Sequence, residues 1–327
     1  MHLLHRLKKY TSFLLFSIYF LQASAQINTD QVTRIGRNAL YFEDYVLSIQ
    51  YFNQVISAKP YLAQPYFFRG IAKYNLDDFK GAEADATIAI GHNPFITDAY
   101  ELRGLARQNL GNVKGAVEDY DKILSMLPEN RSILFNKALA LEELKEYDAS
   151  RNAFDALLKS HPNFDIGYIG RAQLNLATKD TVAAKSDIEK ALSINKHAVN
   201  AYVMRADIAI NSNKDYSQAL EDMNEAIKLQ PRFAGYFINR AFLRHRLDDY
   251  YGAMSDYDYA LQLDPLNYVA LYNRALLRSE VHDFNKAIDD LTKVINLRPN
   301  DFRALYNRAV VLREKGDYKE ALEDVNK

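Results

Sequence analysis

The chain has 327 residues, a formal net charge of −1, and no cysteine or tryptophan. Without cysteine it has no disulfide, no thiol nucleophile, no cysteine-ligated zinc and no lipid-modified N-terminal cysteine. The near-neutral charge argues against nucleic acid as a partner, because proteins that bind nucleic acid present basic surfaces.

The first predicted element is an export signal over residues 1–25. Three basic residues precede an apolar run, and Ala23-Ser24-Ala25 supplies a small-x-small cleavage pattern. The run is shorter than the roughly 20 residues that a bilayer-spanning helix needs. We therefore predict cleavage after Ala25 and a periplasmic or secreted protein, with peripheral attachment to the outer membrane as a further option. An uncleaved N-terminal anchor is the alternative.

The rest of the chain repeats every 34 residues. Small residues lie 24 and 12 residues before each proline slot, as Ala275 and Ala287 do before Pro299. One extra residue is inserted near Asn211–Lys214. Such a period predicts a stack of similar units rather than a single globule. The prolines that keep the spacing are Pro60, Pro94, Pro128, Pro162, Pro231, Pro265 and Pro299.

Each unit is predicted to contain two helices. Apolar residues recur at helical spacing, as in Tyr257, Ala260 and Leu261. The small residues at repeat positions 8 and 20 allow the two helices to approach closely, and the proline at position 32 ends the second helix. An Asp or Asn at position 16 is predicted to cap the second helix. These caps are Asp44, Asp78, Asn112, Asp180, Asp215, Asp249, Asp283 and Asp317.

This pattern resembles the tetratricopeptide repeat, a helix–turn–helix unit of 34 residues. The resemblance implies an all-α fold, a right-handed superhelical solenoid of stacked antiparallel helix pairs over residues 26–327. The second helix of the ninth repeat is cut short at Lys327, so we expect the chain to be a fragment of a longer protein. The predicted repeats are 29–62, 63–96, 97–130, 131–164, 165–198, 199–233, 234–267, 268–301 and the incomplete 302–327.

Arginine at position 7 and aspartate at position 23 occur together in seven repeats. Where the arginine is absent the aspartate is absent too, as with Lys137 and Ala153. This predicts an ion pair between helices, within one repeat or between adjacent repeats, with a row of ligand-facing arginines as the alternative. We call these pairs the Arg–Asp ladder: Arg69–Asp85, Arg103–Asp119, Arg171–Asp187, Arg205–Asp222, Arg240–Asp256, Arg274–Asp290 and Arg308–Asp324.

The resemblance also implies an inner groove, lined by first helices at positions 2, 5, 9, 12 and 13. Its apolar and aromatic side chains suit an extended peptide or a partner helix. Packing between adjacent first helices is the alternative. Relatives that clamp a C-terminal carboxylate use Lys and Asn at positions 5 and 9, a pair that no repeat here has. The candidate residues are Phe67, Ile71, Tyr74, Leu105, Phe135, Leu139, Phe242, His245, Arg246, Tyr272, Leu276, Tyr306 and Arg313.

The sequence contains no H-E-x-x-H or G-x-S-x-G motif and no phosphate-binding glycine loop. We therefore predict no catalytic residue, metal or cofactor, and a non-enzymatic protein–protein interaction scaffold in the bacterial cell envelope. The alternative is a targeting arm for a catalytic or cell-wall-binding domain beyond Lys327. Glycan binding through stacked tyrosines is a weaker alternative. The sequence leaves the partner protein unidentified.

Overall fold

The computed structural model describes residues 28–326, with the side chain of Asn213 left out. The predicted export signal over residues 1–25 lies outside the described residues. The described part of the chain contains eighteen α-helices and one short π-helix, and it contains no strand. The predicted fold class, an all-α arrangement of stacked antiparallel helix pairs, is confirmed.

Residues up to Ser160 form one compact unit. It holds four helix pairs, and each helix packs against the next one along the chain. The first helices of the first three pairs also touch their neighbours, which places their inner faces side by side. The helices are α1 (Thr29–Tyr41), α2 (Tyr45–Ala58), α3 (Ala63–Asn75), α4 (Phe79–His92), α5 (Thr97–Asn109), α6 (Val113–Met126), α7 (Arg131–Glu143) and α8 (Tyr147–Ser160).

Residues from His161 form a second compact unit, again of helices that pack consecutively. A π-helix (Ala209–Asn213) follows directly on one of its α-helices. The α-helices are α9 (Asp165–Ala177), α10 (Thr181–Ile194), α11 (Val199–Ile208), α12 (Tyr216–Leu229), α13 (Ala234–Arg246), α14 (Tyr250–Leu263), α15 (Tyr268–Glu280), α16 (Phe284–Leu297), α17 (Phe302–Lys315) and α18 (Tyr318–Val325).

Small residues lie where the two helices of a pair cross. A Cβ atom on Gly104 would come within 2.8 Å of the ring of Tyr120, which is fully buried. In another pair the hydroxyl of Ser150 donates to the carbonyl of Ala138 at 2.8 Å. Positions 8 and 20 therefore keep the helices close, as the sequence predicts.

Each pair is joined by a turn with a left-handed residue at position 15. Only Gly111 and Gly316 are glycines there, and the other repeats place a residue such as Lys179 at a φ of 65°. The next backbone N–H donates to a carbonyl five residues back in eight of the nine turns, as Asp180 does to Asn175, a Schellman arrangement that ends the first helix. The usual sequence signal for such a turn is a glycine, so most of these turns were not predicted.

Six of the eight predicted caps accept a backbone N–H from the third residue that follows. The prediction was wrong for Asp283 and Asp317, whose side chains make no such bond. Asp283 pairs with Lys286 at 2.9 Å, and Asp317 pairs with Lys315 at 2.8 Å. Each carboxylate therefore has an ammonium partner in place of the predicted cap hydrogen bond.

The inserted residue of the sixth repeat produces the π-helix. A π-helix closes i→i+5 hydrogen bonds and accommodates one extra residue without breaking the helix. Lys214 then takes the left-handed conformation, and the N–H of Asp215 donates to the carbonyl of Ala209 at 3.0 Å. The turn therefore keeps its place between α11 and α12.

Candidate functional site

The Arg–Asp ladder is an ion pair within each repeat. In all seven repeats the Nε and Nη2 atoms of the arginine donate to the carboxylate of the aspartate, as Arg274 does to Asp290 at 2.8 and 2.7 Å. The aspartate side chains are only 1–7% exposed, and the arginines are 12–26% exposed. The predicted helix-to-helix contact is confirmed, and it lies within one repeat rather than between repeats.

Five of these arginines also reach the preceding repeat. The Nη1 atom of Arg274 donates to Asp258 at 2.6 Å, and that of Arg240 donates to Asn224 at 2.9 Å. The acceptors occupy position 25 and are Asn53, Thr87, Asn224, Asp258 and Thr292. Lys137, at position 7 of the fourth repeat, makes the contact between repeats, a 2.5 Å pair with Asp121, and faces Ala153 in place of the ladder aspartate.

A second cation sits on four of the ladder carboxylates. It is at position 11, one turn after the ladder arginine, and it approaches the carboxylate to 2.6–2.9 Å. In three cases it also donates to the backbone carbonyl at position 19, as Arg244 does to Gly252 at 3.1 Å. These contacts were not predicted from the sequence. The second cations are Lys73, Arg107, Arg244 and Arg278.

The inner face of the first unit carries six of the predicted groove residues. All six are partly buried, so part of each side chain packs and part faces solvent. Some contacts join consecutive first helices, for example the hydrogen bond from Asn109 to the hydroxyl of Tyr74 at 3.1 Å. Other contacts hold the residue to its own second helix, for example Phe135 against Phe154. The six are Phe67, Ile71, Tyr74, Leu105, Phe135 and Leu139.

The inner face of the second unit carries the other seven. Four are partly buried, namely Phe242, His245, Tyr272 and Leu276. Asn307 donates to the hydroxyl of Tyr272 at 2.6 Å, and His245 lies 2.7 Å from Glu280 of the next first helix. The remaining three, Arg246, Tyr306 and Arg313, are exposed.

One inner-face residue that sequence reasoning missed is Glu101 on α5. It occupies position 5, between Phe67 and Phe135 at the same position of the neighbouring repeats. Burial, and after it the charge of Asp98, raises the pKa of Glu101. The signal that could have identified Glu101 is its place at position 5, a predicted groove position.

Within residues 28–326, no group of three or more His, Asp or Glu side chains could hold a metal ion. No helix in this part of the chain is both long enough and apolar enough to cross a bilayer.

Family models described as tetratricopeptide repeat match residues 69–196, 199–233 and 291–323. No curated protein matches the chain. A solved tetratricopeptide repeat protein from Parabacteroides merdae is 21% identical, with a TM-score of 0.53, over 80% of this chain and 98% of its own. The C-terminal part of a repeat-containing protein from Cytophaga hutchinsonii is 16% identical, with a TM-score of 0.61, over 73% and 98%. YrrB is 19% identical, with a TM-score of 0.51, over 59% and 98%.

Proposed function

Because the chain belongs to the tetratricopeptide repeat family, we propose that it is a non-enzymatic scaffold of the bacterial cell envelope. In this proposal a peptide segment or partner helix binds to the inner faces of its helix stacks. The observation that carries the proposal is the set of half-buried apolar and aromatic side chains on consecutive first helices. Such side chains retain contact area for a partner, whereas fully buried ones do not.

The inner face of the first unit is the better candidate of the two. Ile71, Leu105 and Leu139 recur at position 9 of three consecutive repeats, and Phe67 and Phe135 flank Glu101 at position 5. This arrangement favours a partner segment that is mainly apolar. YrrB, one of the solved proteins of this fold, is described as having an unusual peptide-binding site, which is compatible with this mode of binding.

Site-specific photo-crosslinking in the native host tests the inner face. A photoreactive phenylalanine analogue at Leu105 is expected to crosslink one major protein, while the same analogue at Lys122, exposed on α6, is expected to give no such product. A Leu105→Arg variant, checked for helicity, should abolish capture by a second analogue at Phe135. Equal crosslinking from Leu105 and Lys122 would contradict the proposal.

The envelope location rests on the predicted signal and is tested separately. Mass spectrometry of the mature protein is expected to find Gln26 as its first residue, in the periplasmic or secreted fraction. An N-terminus at Met1 in the cytoplasmic fraction would contradict the location and leave the crosslinking result intact.

A further inference from the structure

Glu101 is an exception on the inner face of the first unit. It occupies position 5 of a first helix, and it is the only charged residue at that position in the nine repeats. The repeat pattern therefore does not account for a carboxylate at this place. The other eight residues are apolar or aromatic, apart from one threonine: Thr33, Phe67, Phe135, Ile169, Val203, Ile238, Tyr272 and Tyr306.

Its own helix gives this carboxylate no counter-charge. Side chains three and four residues apart are neighbours on a helix, and around Glu101 these are Thr97, Asp98, Gly104 and Leu105. Glu101 is partly buried, and in the described part of the chain it makes no hydrogen bond or ion pair. Burial and the charge of Asp98 raise its pKa, and no described cation opposes them.

The cations of the surrounding first helices are mostly bound to other carboxylates. On α3, α5 and α7, five of the six lysine and arginine side chains pair with second-helix carboxylates at 2.5–2.9 Å. The sixth, Arg131, begins α7 and is exposed. The next cations, Arg34 and Arg37, are on α1, and α3 lies between α1 and α5. The five paired cations are Arg69, Lys73, Arg103, Arg107 and Lys137.

We propose that the partner segment on this inner face carries a lysine or arginine, whose cationic group binds the carboxylate of Glu101. This inference rests on the proposed function, because it names the charge of the segment that the same groove holds. Apolar side chains of the segment pack on Ile71, Leu105 and Leu139. The apolar stem of the lysine or arginine packs on the same surface while its charged end reaches Glu101.

The charge of the segment follows from what binding does to solvent. Water covers the exposed part of Glu101 in the free protein, and an apolar segment in the groove removes that water. A carboxylate that loses water without gaining a counter-charge destabilises the complex. A segment with an aspartate or glutamate there would add repulsion between like charges. A segment with a cation avoids both costs, so Glu101 selects for it and against the other two.

Selection from a peptide library tests the inference without assuming a partner sequence. Short randomised peptides displayed on phage are selected on the full chain and sequenced. Those that bind less well to Leu139→Ala, which changes an uncharged groove residue, are the inner-face binders. Among them we expect enrichment of lysine or arginine flanked by apolar residues.

The strongest inner-face binder then gives a matched pair of probes. One synthetic form keeps its lysine or arginine, and the other has norleucine there, which retains an apolar stem without the charge. The norleucine form is expected to bind about tenfold more weakly or worse, the loss for a hydrogen bond between charged groups. Glu101→Gln should remove most of this difference. Glu118→Gln, the same change at an exposed position on α6, should leave it intact.

The outcomes separate this inference from the groove itself. Inner-face binders without lysine or arginine, equal binding of the two synthetic forms, or equal effects of Glu101→Gln and Glu118→Gln would overturn the inference and leave the groove in place. Selected peptides that are all insensitive to Leu139→Ala, or no selected peptide at all, would contradict both. If Glu101→Gln does not fold, the two synthetic forms compared on the unaltered chain still decide.

Discussion

Removing Arg274 tests how two cations share one ladder carboxylate, because its partner Asp290 keeps a second cation, Arg278. Asp290 is 1% exposed and also accepts from Arg278 at 2.6 Å. Leaving a buried charge with no partner costs about 3–5 kcal/mol. Since Arg278 remains, we expect Arg274→Ala to cost about 2–3 kcal/mol, below that range.

The sixth repeat gives the matched comparison. Arg205→Ala leaves Asp222, equally buried, without any cation in the described structure and with only the 3.5 Å contact from Gln218. We expect this variant to cost the full ~3–5 kcal/mol. Arg232→Ala removes an exposed arginine outside the ladder and serves as the control, with a change within about 0.5 kcal/mol.

The double variant Arg274→Ala with Asp290→Ala tests the contact itself. Hydrogen bonds to charged groups contribute about 1.5–3 kcal/mol, so the double variant should cost less than the sum of the single variants by about that amount.

Urea unfolding gives the global value. Hydrogen exchange of α15 and α16 gives the local one, because repeat arrays need not unfold in a single step. Additivity within about 0.5 kcal/mol would refute direct coupling. Arg274→Ala also removes the pair with the half-exposed Asp258, which contributes about 0.2–1 kcal/mol. A loss for Arg274→Ala that exceeds the loss for Arg205→Ala by more than that amount would refute the compensating role of Arg278.

Three further changes can be measured in the same urea series. Gly104→Ala forces a methyl group against the ring of Tyr120 and should cost about 1–3 kcal/mol; no loss would mean that the helices can separate freely. Lys179→Gly removes the penalty of about 1–2 kcal/mol for a non-glycine residue in the left-handed conformation, and it costs about 0.5–1 kcal/mol in backbone entropy. The protein should therefore become slightly more stable with Lys179→Gly, whereas Lys179→Ala should not stabilise it. Ser150→Ala removes the 2.8 Å bond to Ala138 and should cost about 1 kcal/mol; an unchanged midpoint would contradict this.

The helix pairs and the Arg–Asp ladder could be predicted because each leaves a repeated signal of fixed residue type. Seven repeats have an arginine at the position of Arg274 and an aspartate at the position of Asp290, and the other two repeats have neither. Because the two residues vary together, their contact could be inferred without coordinates.

The contacts between repeats could not be predicted in the same way. Position 25 holds Asn53, Thr87 or Asp258, residues of different types that each offer an oxygen to an arginine Nη1 atom. What recurs at position 25 is the ability to accept a hydrogen bond, not one residue type. A search for a repeated residue therefore does not detect it. The left-handed turns were missed for a similar reason, since Lys179 adopts there the conformation that glycine adopts at Gly111.

A ladder arginine can stabilise both the packing within a repeat and the packing between neighbouring repeats. Arg274 binds Asp290 of its own repeat and Asp258 of the preceding one, so one guanidinium fixes both the helix pair and its neighbour. Stability in such stacks is the sum of repeat terms and nearest-neighbour terms, and a ladder arginine contributes to both. Among the described residues, Lys137 makes only the contact with the neighbouring repeat, and Arg205 makes only the contact within its own repeat. We therefore expect the sixth repeat to be held less firmly to the fifth than the eighth is to the seventh, where Arg274 makes both contacts.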